Sequence, residues 1–115
     1  MTIRNLFKDL QYVGKAEGDK RAYHVFSGSD AFLVVAPSTR GGLNVNVVDR
    51  RAAEVIRRRF RRKRVTVKEL IKGARRPDLF GDRFAALNAL YVMVALKQAR
   101  KLAERDGRAM VFKMN

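Results

Sequence analysis

Between positions 49 and 64 the sequence reads DRRAAEVIRRRFRRKR, with nine Lys or Arg residues against two acids. Guanidinium groups carry forked N–H donors that match phosphate oxygens and guanine edges. At helical spacing over 50–62, Ala52, Ala53, Ile56 and Phe60 share one side. Arg50, Arg51, Arg57, Arg58, Arg61 and Arg62 share the other, with Glu54 among them and Arg58 in reach as its i+4 partner. One carboxylate does not neutralise six guanidiniums, and like charges at i,i+4 cost a helix roughly 0.2–0.5 kcal/mol per pair. Such a face is unfavourable for folding alone.

The bland alternative is a solvated surface helix in an Arg-rich chain. Against it stands the concentration of charge: the segment carries +7 of the chain's net +15, whereas residues 1–48 hold six basic and four acidic residues, a net +2. The charge points to a polyanion gripped through those six arginines, with Arg64, Arg75 and Arg76 extending the patch. It specifies phosphate, not base sequence.

Other reactive side chains do not assemble into a catalytic set. His24 is the only histidine and there is no cysteine, which excludes disulfides, thiolate metal sites and Cys nucleophiles. Asp30 falls in a turn and Asp49 at a helix start, where local hydrogen bonding accounts for both. Pro77-Asp78 opens like a nuclease carboxylate motif, but no Glu-x-Lys or Asp-x-Lys follows at a workable distance. PSTRGG lacks the spacing and the lysine of a phosphate-binding loop. No enzyme, cofactor or small-molecule ligand is implied.

The 115 residues are read as one domain, 1–115, with a sheet half (1–48) and a helical half (49–115). Ile3, Leu6, Phe7 and Leu10 space as a short N-terminal helix over 3–13, and GKAEGDK (14–20) reads as a loop. Three β-like runs follow, 22–27, 31–37 and 42–48, separated by GSD and STRGG. In the third, Leu43, Val45 and Val47 alternate with Asn44 and Asn46, which predicts a buried apolar face and an open polar one. Asn amides pair with adenine edges, so Asn44 and Asn46, with Arg40 on the preceding loop, are candidate base contacts.

Asp49, Thr66 and Asp82 are N-cap residues for a basic helix, a short helix ending near Gly73, and a long apolar helix from Arg83 to about Asp106. RVTV extends briefly between the first two. Gly107 ends the third, and RAMVFKM closes the chain as a strand. The expected fold is thus α+β: an N-terminal helix, a three-stranded antiparallel sheet, three helices and a C-terminal strand.

VTVKELIKGA with the following loop, helix and strand resembles, over about 65–114, the latter part of a winged helix-turn-helix module. It departs where a recognition helix must be polar, because FAALNALYVMVAL (84–96) is apolar nearly all round. That helix is expected as core or as a subunit seam, not in a groove. Three strands followed by a helix resembles AP2-like and integrase amino-terminal domains. With the leading helix, the order is similar to double-stranded RNA-binding domains, whose basic motif Arg50 and Arg51 loosely match.

The functional expectation is a small nucleic-acid-binding protein, duplex DNA narrowly ahead of RNA. The rival is an interaction or dimerisation subunit whose basic helix meets an acidic protein, and a nuclease comes last. A homodimer through the 83–96 helix would use the side bearing Ala86, Ala89, Leu90 and Met93; the alternative is burial of that side by the N-terminal helix. The longest apolar run, thirteen residues, is short of the roughly twenty a membrane span needs, and MTIRNLFKDL is no secretory signal. A cytoplasmic location without membrane contact is therefore expected.

Overall fold

In the computed structural model, residues 8–115 are described. Strands β1 (Gln11–Glu17), β2 (Ala22–Ser27), β3 (Ala31–Pro37) and β4 (Leu43–Asp49) form a four-stranded antiparallel meander, sheet A. The basic helix α1 (Arg50–Arg59) leaves β4 without a loop, and β5 (Arg64–Val65), α2 (Val67–Ala74) and α3 (Arg83–Ala95) follow. Strands β6 (Ala99–Asp106) and β7 (Ala109–Met114) complete a second antiparallel sheet, sheet B, in the order β5-β7-β6.

The fold is α+β, but not the three-stranded one expected. Strand β1 occupies residues read as helix end and loop, and pairs with β2 across a bulge between Tyr12 and Gly14. The bulge places Gly14 (φ 157°) against α3: a Cβ there would lie 3.1 Å from the Ala95 carbonyl oxygen. Residues 3–7 of the proposed N-terminal helix, including Ile3, Leu6 and Phe7, lie outside the described residues; residues 8–10 are not helical, and Gln11–Val13 are strand. The long helix is also shorter than expected. It stops at Ala95, Lys97 takes a left-handed conformation (φ 61°), and Ala99–Asp106 pair with β7. Gly107 (φ 62°) turns a hairpin instead of ending a helix.

The expected caps are present. Asp49 accepts from Arg51 N and Asp82 from Ala85 N, both at 2.8 Å. Thr66 makes a full capping box: its Oγ1 accepts from Glu69 N at 3.2 Å while Glu69 Oε1 accepts from Thr66 N at 2.9 Å. Thr66 is also buried. Thr66→Ala removes one bond and leaves the Glu69 amide without its acceptor. It should cost about 0.5–2 kcal/mol in urea unfolding, with secondary structure content unchanged.

Helix α3 has no polar face, so it must be surrounded. It touches all four strands of sheet A, β6, α1 and α2. Ala86, Ala89, Leu90 and Met93 are at most 1% exposed within the single chain. The side expected to meet a second copy, or an N-terminal helix, is covered by elements of the described fold. Tyr91 stacks on Tyr23 (4.2 Å between centroids) and meets Phe112 edge-on, joining the sheets through the helix. Burial pushes the Tyr91 hydroxyl pKa well above its ordinary value.

Strand β4 corrects a second expectation. Register puts Leu43, Val45 and Val47 on one face with Pro37, Val35 and Leu33, the face turned away from the core. All three are half exposed or more. Asn44 and Asn46 share the core-side face with Val34 and Ala36, yet both lie exposed beyond its rim. The alternation is real; the faces are the reverse of those expected. No helix among the described residues is long and apolar enough to cross a membrane.

Candidate nucleic-acid interface

Helix α1 docks through Ala52, Ala53, Val55 and Ile56, and its charged face is exposed. Ion pairing divides that face into two parts. Arg50, Arg51 and Arg57 on the helix, and Arg76 beside it, are held by neighbouring groups. Arg50 donates to the Gly28 carbonyl (2.7 and 3.1 Å) and to Ser27 Oγ, with its guanidinium 4.6 Å from the Phe32 ring centroid. Arg51 pairs with Asp49 at 2.9 Å, and Arg76 with Asp78 at 2.8 Å. Arg57 pairs with Glu54 at 2.5 Å and donates to Gln98 Oε1, so Glu54 serves Arg57 and not Arg58.

Those guanidiniums hold the Asp49 and Asp78 carboxyls below the ordinary carboxylate range. The pairs therefore contribute stability above that range, lost only as pH falls through the lowered values.

The other end of α1 is different. The helix ends at Arg59 with Phe60 as its C-cap, so Arg61 and Arg62 stand on a turn and not on the helix. Arg58, Arg59, Arg61, Arg62 and Lys63 are exposed, and their side chains make no ion pair or hydrogen bond among the described residues. Arg57, Arg58 and Arg59 lie in the last helical turn, where the macrodipole favours cations by about 0.3–1 kcal/mol. That accounts for three charges and leaves the turn unexplained.

The C-terminal strand pins this turn. Arg62 N donates to the Asn115 carbonyl (3.2 Å), Met114 N to the Lys63 carbonyl (2.9 Å), and Lys113 Nζ to the Arg62 carbonyl. Asn115 also bonds the α3–β6 connection, through Lys97 O (2.8 Å) and Gln98 O (3.1 Å). Register in sheet B then sets Arg64 opposite Lys113 and Lys113 opposite Arg100. Three cations stand in one cross-strand row, an arrangement that destabilises a sheet. Within this row only Arg64 has a carboxylate, Glu104 at 3.0 Å.

Sequence spacing does not reveal Lys97, Arg100 and Lys113, which lie far along the chain from Arg61–Arg64. The pattern ARKLAERD gives no sign of strand pairing, so no register can be drawn from it. Arg75, expected in the patch, caps α2 in a left-handed conformation (φ 53°) and lines a shallow cleft with Arg59, Glu69, Lys72 and Gly73. There Gly73 lets Phe60 approach: a Cβ would meet the ring at 3.0–3.1 Å. Arg40, Asn44 and Asn46 lie toward the end of β4 away from α1. Among the described residues no hydrogen bond or ion pair joins them to the α1 arginines.

Arg62 has φ 60°, where a non-glycine side chain costs roughly 1 kcal/mol. Arg62→Gly should leave thermal stability equal or higher by up to about 1 kcal/mol while removing a charge. A folded variant less stable than wild type would assign Arg62 a structural role.

His24 Nδ1 lies 2.9 Å from Tyr12 Oη on the outer face of sheet A. Among the described residues no three His, Asp or Glu side chains cluster as metal ligands would. Compared with models of known protein families, with curated proteins and with solved structures, the chain matches none.

Proposed function

We propose that this protein binds the phosphate backbone of nucleic acid, duplex DNA ahead of RNA. The binding surface is the α1–β5 turn together with the outer row of sheet B. Arg58, Arg61, Arg62, Lys63, Lys113 and Arg100 supply the cations, with Arg64, Lys97, Arg59 and Arg75 at the margins. One observation carries the reading: Arg64, Lys113 and Arg100 stand in one cross-strand row that hydrogen bonds join to the turn bearing Arg62 and Lys63, with a single carboxylate, Glu104, paired in the row. Elsewhere on α1 the same sequence pairs its arginines. Like charges set opposite one another oppose folding, and a polyanion relieves them by replacing condensed counterions.

A duplex is favoured over a single strand because the aromatics that could stack on bases are elsewhere. Tyr12 and Phe26 lie on the face of sheet A turned away from α1, and Phe60 is buried. DNA precedes RNA because its wide major groove also admits guanidiniums to guanine edges. The order α1–β5–α2–α3–β6–β7, with β7 central in its sheet, resembles a winged helix-turn-helix module. Here α3 is buried, so groove insertion by that helix is not part of the proposal.

Fluorescence anisotropy with duplex DNA, duplex RNA, a single strand and oligoglutamate tests this directly. The duplexes should bind more tightly than the single strand, and all nucleic acids more weakly as salt rises. Oligoglutamate binding as tightly as duplex would favour an acidic protein partner at the same surface instead.

A further inference from the structure

A second surface carries both exposed apolar groups and unpaired charge. Helices α2 and α3 and the β6–β7 hairpin enclose an open groove of about 830 Å³. Its floor is Val67, Ile71, Leu87 and Met110, all only partly buried. At its mouth stands Phe84, in the first turn of α3 and 75% exposed. Lys68, Lys72, Arg83 and Arg108 line the rim and make no side-chain ion pair or hydrogen bond among the described residues. A fifth cation, Arg105, is held by Asp19 and donates to the Arg108 carbonyl, which fixes the hairpin wall against the β1–β2 turn. Asp19 is the only acid in the lining, and its carboxyl sits below the ordinary range because Arg105 and Lys101 bind it.

We propose that this groove docks an acidic segment of a partner protein, anchored by bulky apolar side chains on its floor. Charge complementarity selects the occupant. A second copy of this chain, at +15, would be repelled. A single-headed amphiphile such as a fatty acid offers one carboxylate to a rim of several separated cations. A sugar–phosphate backbone would satisfy the rim and leave the apolar floor unfilled. A segment with acids flanking apolar anchors satisfies both, in the manner of amphipathic segments in grooves. The inference does not depend on the nucleic-acid reading, because α2, α3 and the hairpin tip form the groove and the sheet B row does not.

The probe is a fluorescein-labelled synthetic peptide of roughly 16 residues, Glu-rich with Leu and Phe at i, i+3, i+4 and i+7. Its scrambled isomer and an oligoglutamate of equal charge serve as comparators. At about 0.15 M salt the patterned peptide should bind at least about tenfold more tightly than either. Phe84→Ala should weaken it at least about tenfold with the melting temperature unchanged, since Phe84 is exposed. Lys68→Glu with Arg108→Glu should weaken it similarly, while Arg61→Glu with Lys63→Glu and Arg100→Glu should leave it nearly unchanged. Equal binding of oligoglutamate, indifference to Phe84→Ala, or a Phe84→Ala effect on duplex DNA in place of peptide would each overturn the proposal.

Discussion

Met93→Glu should yield no folded protein, monomeric or otherwise. Met93 is 1% exposed in the last turn of a helix that both sheets and two other helices surround. A carboxylate there sits in the apolar core with no water to solvate it. Removing such a charge from water without a partner costs several kcal/mol, a large share of the 5–15 kcal/mol that holds a domain together. Circular dichroism should show loss of the cooperative thermal transition. Met93→Leu, which conserves volume, should cost less than about 1.5 kcal/mol, and Leu90→Ala about 2–5 kcal/mol through the cavity it leaves. If Met93→Glu instead gave folded monomers from a wild-type dimer, α3 would be a subunit seam and the packing described here would be wrong.

Charge reversal at Arg61, Lys63 and Arg100 should abolish most nucleic-acid binding without unfolding the chain. All three are exposed, and none makes a side-chain ion pair or hydrogen bond among the described residues, so no specific interaction of the fold is broken. Relief of like-charge repulsion around Lys113 should hold the melting temperature level or raise it. Every cation withdrawn from a phosphate takes about 0.9 from the salt slope, so three should lower duplex affinity about 100- to 1000-fold near 0.1 M salt. Reversal at Lys15, Lys20 and Arg40 changes net charge equally on the meander of sheet A. It should reduce affinity only modestly, through the long-range field.

The parts of the fold legible in the sequence are those with local causes. Asp49, Thr66 and Asp82 each place a side-chain acceptor before a helical run, and each caps a helix. Strands β2 to β4 are legible from β-branched runs between turn residues. What stays hidden is decided by tertiary packing. KQARKLAERD consists of good helix formers, and nothing local marks Lys97 as the break, because the left-handed position carries Lys where Gly or Asn is usual. Pairing with β7 then overrides propensity. In β1, Gly14 resembles loop punctuation, yet its missing side chain is what admits the α3 carboxyl end.

The candidate site divides in the same way. The charge of residues 49–64 is plain, but which arginines are held by hydrogen bonds depends also on Ser27, Gly28 and Gln98, distant in sequence. That Lys113 and Arg100 extend the turn follows from strand register, which no spacing rule contains.

The central claim is that the α1–β5 turn and the sheet B row hold phosphates. It is tested most directly by titrating salt against the affinity of one DNA duplex for wild type and for the Arg61, Lys63 and Arg100 reversal. Log affinity should fall linearly with log salt in both, with the variant's slope shallower by about 2.7, the equivalent of three phosphates. Parallel slopes in two folded proteins would contradict it.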